Sequence, residues 1–275
     1  MKETQDMGVF RNGQVTIEYD DHRSDGASPP LVLVHGHPFD RSMWTPQVEH
    51  IDTRRVIVPD LRGYGRSTVV PGKTPFQAFA EDIAGLLDHL GVEEIVLGGL
   101  SMGGQIVMEF HRLFPERLRG LLLADTTPQA ENEESGRARN AMADRLVREG
   151  MGGYADEVLP KMVAPANIRR FPAVAEHVLG MMRGAPPEGA AAAQRGRAER
   201  PDYVASLARV RVPTLIVVGS DDEFTPIADA RLMHEVIPGS TLVVIEGTAH
   251  MPNLERPAEF NEALGKFLAT IPEER

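Results

Sequence analysis

The sequence predicts a doubly wound, mostly parallel α/β sheet with one helical insertion, and three observations carry that prediction. Short runs rich in Val, Ile and Leu recur along the 275 residues, each closed by turn residues. After the first they scarcely alternate with polar residues, as expected of strands covered on both faces. Helical periodicity fills the gaps between several of these runs, so strand and helix alternate. The alternation stops between Pro128 and Tyr203 and then resumes. A chain of this length can bury one large core, or a core with a smaller inserted module.

The elements follow in order. The stretches before Leu31, including "QVTIEY" (14–19), have no helix between them and predict an antiparallel hairpin at a sheet edge. "LVLVHG" (31–36) and "RVIVPD" (55–60) are the first continuous apolar runs. Phe76–Leu90 sets Phe79, Ile83, Leu86, Leu87 and Leu90 on one helical face, and Gly91 ends it. "EIVLGG" (94–99) leads into a helix over Gly103–Phe114 that stops at Pro115, and "LRGLLLAD" (118–125) follows. Beyond the insertion come "TLIVVG" (214–219), a helix over Ala228–Ile237, "TLVVIEG" (241–247) and a last helix over Pro257–Ile271. Residues 1–126 and 206–275 therefore form the core, and 127–205 a helical cap over the sheet.

Charge marks the same boundary. Residues 128–205 hold 11 basic and 11 acidic side chains, so the whole net charge of −11 falls on the remainder. The insertion is helical and loop-rich, with Ala-, Gly- and Pro-rich pieces such as "GAPPEGAAAAQRG" (184–196). It carries five of the 12 methionines: Met142, Met151, Met162, Met181 and Met182. These fill gaps in a small helical core or line the underside of a substrate pocket, and the sequence leaves both readings open.

Composition narrows the function classes. With 42 % apolar and 25 % charged residues the chain has an ordinary soluble make-up. Its acidic balance disfavours nucleic acid as a partner. No run approaches 18 uninterrupted apolar residues, and the polar start "MKETQDMGVFRNG" lacks the apolar segment of a secretion signal, so a cytoplasmic protein is expected. The absence of cysteine excludes disulfides, Cys-based zinc sites and a thiolate nucleophile.

Ligands of open α/β sheets sit at the carboxyl ends of the strands. After 94–98 comes Gly99-Leu100-Ser101-Met102-Gly103, a G-x-S-x-G between a strand and a helix. That context is a nucleophile elbow: a strained turn raises Ser101, Gly99 and Gly103 avoid Cβ clashes, and the amide of Met102 starts a helix facing anionic oxygen. After 31–34 comes "HGHPFD", where Gly36 lets the chain turn beside the elbow and aim the amide of His37 at the same point. Two such amides make an oxyanion hole. His35 reads as a structural histidine closing the strand. After 214–219 comes "SDDEFTP" with Asp222, whose neighbours Asp221 and Glu223 suit a turn or a helix cap. After 241–246 comes "GTAHMPNLERP" with His250. Nucleophile, acid and histidine thus occur in the order Ser, Asp, His, each at the end of its own strand. "HGHPFD" also offers His37 and Asp40 to a metal, but the further carboxylate and histidine of a dinuclear site are missing downstream.

On "HGHP" (35–38), "DLRGYGRS" (60–67), "GLSMGG" (99–104), "GSDDEFTP" (219–226) and "GTAHMPNLERPAEF" (247–260), the chain resembles the α/β-hydrolase family across nearly its whole length. The resemblance implies Ser101 as nucleophile, His250 as general base, Asp222 as its orienting acid and the amides of His37 and Met102 as oxyanion donors. Some members take the acid from the preceding strand, which makes Asp125 the alternative. "DLRGYGRS" is implied to be a structural turn, with no catalytic role for Arg62 or Tyr64. "SMWTPQVEHI" (42–51), "EGMGGYADEVLPKMV" (149–163) and the Asn-Leu-Glu-Arg-Pro after His250 are similar to 3-oxoadipate enol-lactonases. Cofactor-free haloperoxidase or perhydrolase-type esterases share most of the motifs. The expected reaction is hydrolysis of a small carboxylic ester or lactone without metal or organic cofactor, in a chain that could form a homo-oligomer. A small-molecule receptor on the same fold is the alternative, with C–C hydrolase or perhydrolase chemistry behind it. Serine at the elbow disfavours the aspartate chemistry of dehalogenases and epoxide hydrolases. The insertion's Arg137, Arg139, Arg145, Arg148, Arg169, Arg170 and Arg183 are expected on solvated faces rather than around a substrate carboxylate.

Overall fold

Successive side chains of each buried strand enter opposite cores, as the pleat requires. The chain is described by a computed structural model over residues 5–24 and 28–272, so residues 1–4 of the polar N-terminal stretch lie outside it. Its strands are β1 (Gln5–Asn12), β2 (Val15–His22), β3 (Leu31–Val34), β4 (Val56–Pro59), β5 (Ile95–Leu100), β6 (Leu118–Ala124), β7 (Thr214–Gly219) and β8 (Thr241–Ile245). They form one sheet in the order β1-β2-β4-β3-β5-β6-β7-β8. The hairpin β1–β2 is antiparallel, β2 joins β4 antiparallel, and the other six strands run parallel.

The helices of the sheet layers are α1 (Thr45–His50), α2 (Phe76–Leu90), α3 (Met102–Leu113), α10 (Ile227–Val236), α11 (Pro252–Glu255) and α12 (Pro257–Leu268). Val32, Val34, Leu97 and Leu123 pack with Phe79, Ile83 and Leu86 of α2, Ile106 of α3 and Met233 of α10. Their sequence neighbours Leu31, Leu33, Val96 and Leu122 face the other way, against Trp44 and the α12 residues Phe260, Leu264 and Phe267. This double cover accounts for the unbroken apolar runs. The edge strand β8 departs from it: Thr241 is exposed and Leu242, Val243 and Val244 are only half-buried.

Boundaries shift by small amounts. β5 runs one residue further than its sequence suggests and α3 starts at Met102, leaving Ser101 alone between strand and helix. The last helix ends at Leu268 rather than Ile271.

Between β6 and β7 the chain forms α4 (Glu133–Glu149), α5 (Gly152–Met162), α6 (Pro165–Arg170), α7 (Pro172–Gly184), α8 (Pro187–Ala198) and the short α9 (Val204–Leu207). The Ala- and Gly-rich piece is the buried helix α8. A Cβ on Gly189 would lie 1.9 Å from the Gly63 carbonyl oxygen, and one on Gly196 would lie 1.8 Å from that of Thr74. Small residues thus let the α8 backbone rest directly on the loops after β4. Met151, Met162, Met181 and Met182 are buried in the two apolar cores, as gap-filling side chains are.

Candidate active site

Ser101 sits between β5 and α3 with φ 58° and ψ −118°, a conformation that non-glycine residues rarely hold. Its surroundings fix that strain in place. The Ser101 amide donates to the Ala124 carbonyl (2.9 Å), while its carbonyl accepts from the Gln105 amide (3.1 Å) and the Thr126 hydroxyl (2.8 Å). A Cβ on Gly99 would come within 2.3 Å of the Gly103 carbonyl carbon, and one on Gly103 within 2.3 Å of the Val34 carbonyl oxygen. The two glycines therefore permit both the bend and its contact with β3. Met102 opens α3, where first-turn amides have no intrahelical acceptor and are available to an anionic oxygen.

Asp222 and His250 follow β7 and β8. The Nδ1–H of His250 donates to Oδ2 of Asp222 at 2.8 Å, with both side chains almost fully buried. Asp222 also accepts from the Thr225 hydroxyl (2.6 Å) and from the amides of Phe224 (2.8 Å) and Thr225 (3.2 Å). Burial pushes its carboxyl pKa up, but the facing His250 and these donors outweigh it and hold the pKa below the ordinary value. An imidazole held in this tautomer presents Nε2 as a base. The Phe224 ring packs edge-on to His250, with centroids 5.1 Å apart.

Asp125, the alternative acid, directly follows β6 beside this pair, but the His250 Nδ1 partner is Asp222. One of its carboxylate oxygens, one of Asp222 and a ring nitrogen of His250 lie within 4.8 Å of one another.

The loop after β3 reaches the elbow as its glycine suggests. A Cβ on Gly36 would lie 2.9 Å from the Leu100 carbonyl oxygen and 3.2 Å from Cβ of Ser101. The His37–Pro38 peptide is cis. His35 is structural, donating from Nδ1 to the Gly36 carbonyl and accepting the Leu61 amide on Nε2, both at 2.9 Å. His37 is buried within a relay of side chains. Arg139 of α4 donates to Oε1 of Gln194 on α8 (3.1 Å), which orients the Gln194 amide to donate to Nε2 of His37 (2.9 Å). Nδ1 of His37 then faces the Tyr64 hydroxyl at 2.7 Å. Burial, with Arg197 and Arg139 nearby, pushes the His37 pKa well below normal, so the ring is neutral. Asp60, at the start of "DLRGYGRS", ties down the turn by accepting the amides of Arg41 and Arg66, each at 2.9 Å.

Several participants were not singled out from the sequence. Glu255 accepts the Ala249 amide (2.8 Å) beside His250, together with the Ala164 amide (2.9 Å) and the Asn167 side chain (2.6 Å) of the insertion. It joins the histidine loop to the helices. Arg197 has a buried Nε with no hydrogen-bond partner among the described residues, and burial with the like charges of Arg139 and Arg200 lowers its guanidinium to about 9. Of the arginines considered in sequence, Arg137, Arg148 and Arg183 are solvated and ion-paired. Arg139, in contrast, turns inward to Glu131 and Gln194.

Known proteins share this frame. Residues 31–263 match the model of the alpha/beta hydrolase family. A 3-oxoadipate enol-lactonase of Acinetobacter baylyi is 31% identical over 86% of this chain and 87% of its own length. The solved thermophilic esterase of Thermogutta terrifontis, with malate bound, is 39% identical with a TM-score of 0.91, covering 98% of this chain and 99% of that one. The enol-lactonase of Burkholderia xenovorans is 26% identical with a TM-score of 0.88, covering 95% of this chain and all of that one.

Proposed function

Because the chain belongs to the alpha/beta hydrolase family, we propose that it cleaves a carboxylic ester or lactone through an acyl-enzyme on Ser101. The observation that carries this reading is a strained serine at the β5–α3 junction, on the same sheet edge as a buried Asp222–His250 pair. His250 takes the Ser101 proton through Nε2 as the oxygen attacks the substrate carbonyl. The resulting oxyanion is met by the amides of Met102 and His37, each such donor worth roughly 10²–10³ in rate. The tetrahedral intermediate collapses, His250 passes its proton to the leaving alcohol, and the acyl group stays on Ser101. Water, deprotonated by His250, then releases the acid. Asp222 keeps the imidazole in its tautomer and stabilises its cationic form.

The helical insertion acts as a cap that shapes the substrate. The neutral His37 and the buried cationic Arg197 near it, whose Nε has no partner among the described residues, favour a substrate that itself carries a carboxylate, Arg139 being already paired with Glu131. The related esterase captured with malate is in keeping with such a preference. The test is a panel of p-nitrophenyl esters and lactones, with and without a free carboxylate, given to wild type and Ser101→Ala. Turnover by wild type alone supports the reading. Full turnover by Ser101→Ala ends it, and absence of turnover on every substrate favours the receptor alternative.

A further inference from the structure

Among the described residues, two non-glycine side chains sit at positive φ: Ser101 at 58° and Asp125 at 42°. Backbone strain of this kind persists where surrounding structure enforces it, and it gathers at functional sites. Ser101 has its explanation in the elbow. Asp125 has none in the mechanism above, yet it ends the strand between the elbow and Asp222 and is 1% exposed. Its amide donates to the Val217 carbonyl (2.9 Å), and its Oδ1 accepts the Gly219 amide (2.8 Å). Its Oδ2 is buried without a donor, and one of its carboxylate oxygens lies within 4.8 Å of one of Asp222.

Two buried carboxylates within 4.8 Å of each other, away from water, strongly oppose being ionised together. The donors decide which keeps the charge. Asp222 has His250, the Thr225 hydroxyl and two amides, whereas Asp125 has one amide. The proton therefore belongs on Asp125. We propose that Asp125 is a positioning residue, a carboxylic acid whose O–H donates to the Asp222 carboxylate and holds it on Nδ1 of His250. This inference rests on the hydrolase reading. The titratable groups facing Asp125 are Asp222, His250 and Glu255. Burial, followed by the Asp222 charge, raises the Asp125 pKa well above the ordinary value.

The sign of the pH dependence follows. A carboxyl raised on folding binds more protons in the native state, so its contribution is full below the ordinary value of 3.8 and is lost as pH rises toward the raised value. Asp125→Asn keeps the shape, tolerates positive φ and supplies an N–H that never ionises. The variant should gain stability over wild type as pH rises above 3.8.

The experiment combines Asp125→Ala, Asp125→Asn, Asp222→Asn and Ser101→Ala. Denaturant stability is measured across pH, and kcat, KM and the pH–rate profile on the best ester. Asp125→Ala should lower kcat about 10–100-fold with little change in KM. Asparagine should restore it to within about threefold of wild type with the profile unmoved. Loss in Asp125→Asn as deep as in Asp222→Asn would overturn the proposal by making Asp125 a charged member of the relay. Wild-type kcat in Asp125→Ala, or a stability difference between Asp125→Asn and wild type that ignores pH, would overturn it too. If alanine fails to fold, the pH-dependent stability of Asp125→Asn still decides. Turnover surviving in Ser101→Ala would instead break the hydrolase reading on which the proposal rests.

Discussion

Ser101 is held at the sheet edge by backbone: a hydrogen bond to Ala124, contacts too close for any Cβ at Gly99 and Gly103, and the first turn of α3. The helical insertion rests its α8 backbone on the loops after β4 but meets the surroundings of His37 and His250 largely through side chains. Gln194 holds His37, Arg139 orients Gln194, and Asn167 meets Glu255 beside the His250 loop. Backbone placement admits few residue types and leaves a recognisable pattern. Side-chain placement admits many and leaves little. Under the proposed function the first region would set the chemistry, leaving the second free to set which molecule receives it.

Ways to break this division run from large effects to small. The largest belongs to the sheet edge. Asp222→Asn should lower kcat by about 10⁴-fold, the loss met when a triad histidine is left in the wrong tautomer, with KM nearly unchanged in steady-state assays. The same carboxylate carries a pH signature. Its pKa is depressed in the folded protein, so its stabilising contribution is present above 3.8 and is lost as pH falls through the lower folded value. Acid unfolding followed by circular dichroism should lose that step in Asp222→Asn. A fall of less than tenfold in kcat would move the acid elsewhere.

Next comes Gly103→Ala. Its Cβ would sit 2.3 Å from the Val34 carbonyl oxygen, so β3 or α3 must shift. Overpacking of this kind costs about 1–3 kcal/mol, and misplacing the serine by about 1 Å costs about 10² in kcat. Denaturant titration and kinetics would read the two separately.

The insertion should respond in KM. Arg197→Leu is expected to raise KM for a carboxylate-bearing ester about tenfold or more while leaving a neutral ester of equal size unaffected, as loss of a charged hydrogen bond implies. A parallel change for both substrates would remove the carboxylate preference. The smallest effect is Arg145→Ala, which breaks ion pairs with Glu149 and Glu157 on the outer face of α4. Exposed pairs contribute little, so Tm should move by less than about 2 °C by calorimetry and kinetics should not change.

The legibility of the sequence follows the same line. Buried parallel strands announced themselves because both faces are apolar, and α2 kept its sequence bounds because Gly91 at positive φ ends it. Ser101, Asp222 and His250 could be picked out because each follows its own strand. The neighbourhood of Asp125 and Asp222 could not, since it depends on the pairing of β6 with β7, which brings Gly219 to Asp125, 94 positions earlier in the chain. Arg197 stayed hidden for a similar reason: one arginine among many becomes special only when α8 lies on the loops at Gly63 and Thr74. Glu255 sat in view within "NLERP", but its partners Ala164 and Asn167 come from the insertion.

The account turns on the acyl group passing through one oxygen. Wild type and Ser101→Ala should each be treated with a fluorophosphonate and, separately, mixed rapidly with a slowly deacylating p-nitrophenyl ester, quenched and mapped by peptide mass spectrometry. The account predicts one adduct per chain on the peptide holding Ser101, a matching burst of nitrophenol, and neither adduct nor turnover in Ser101→Ala. An adduct on another residue, or undiminished turnover without Ser101, would contradict it.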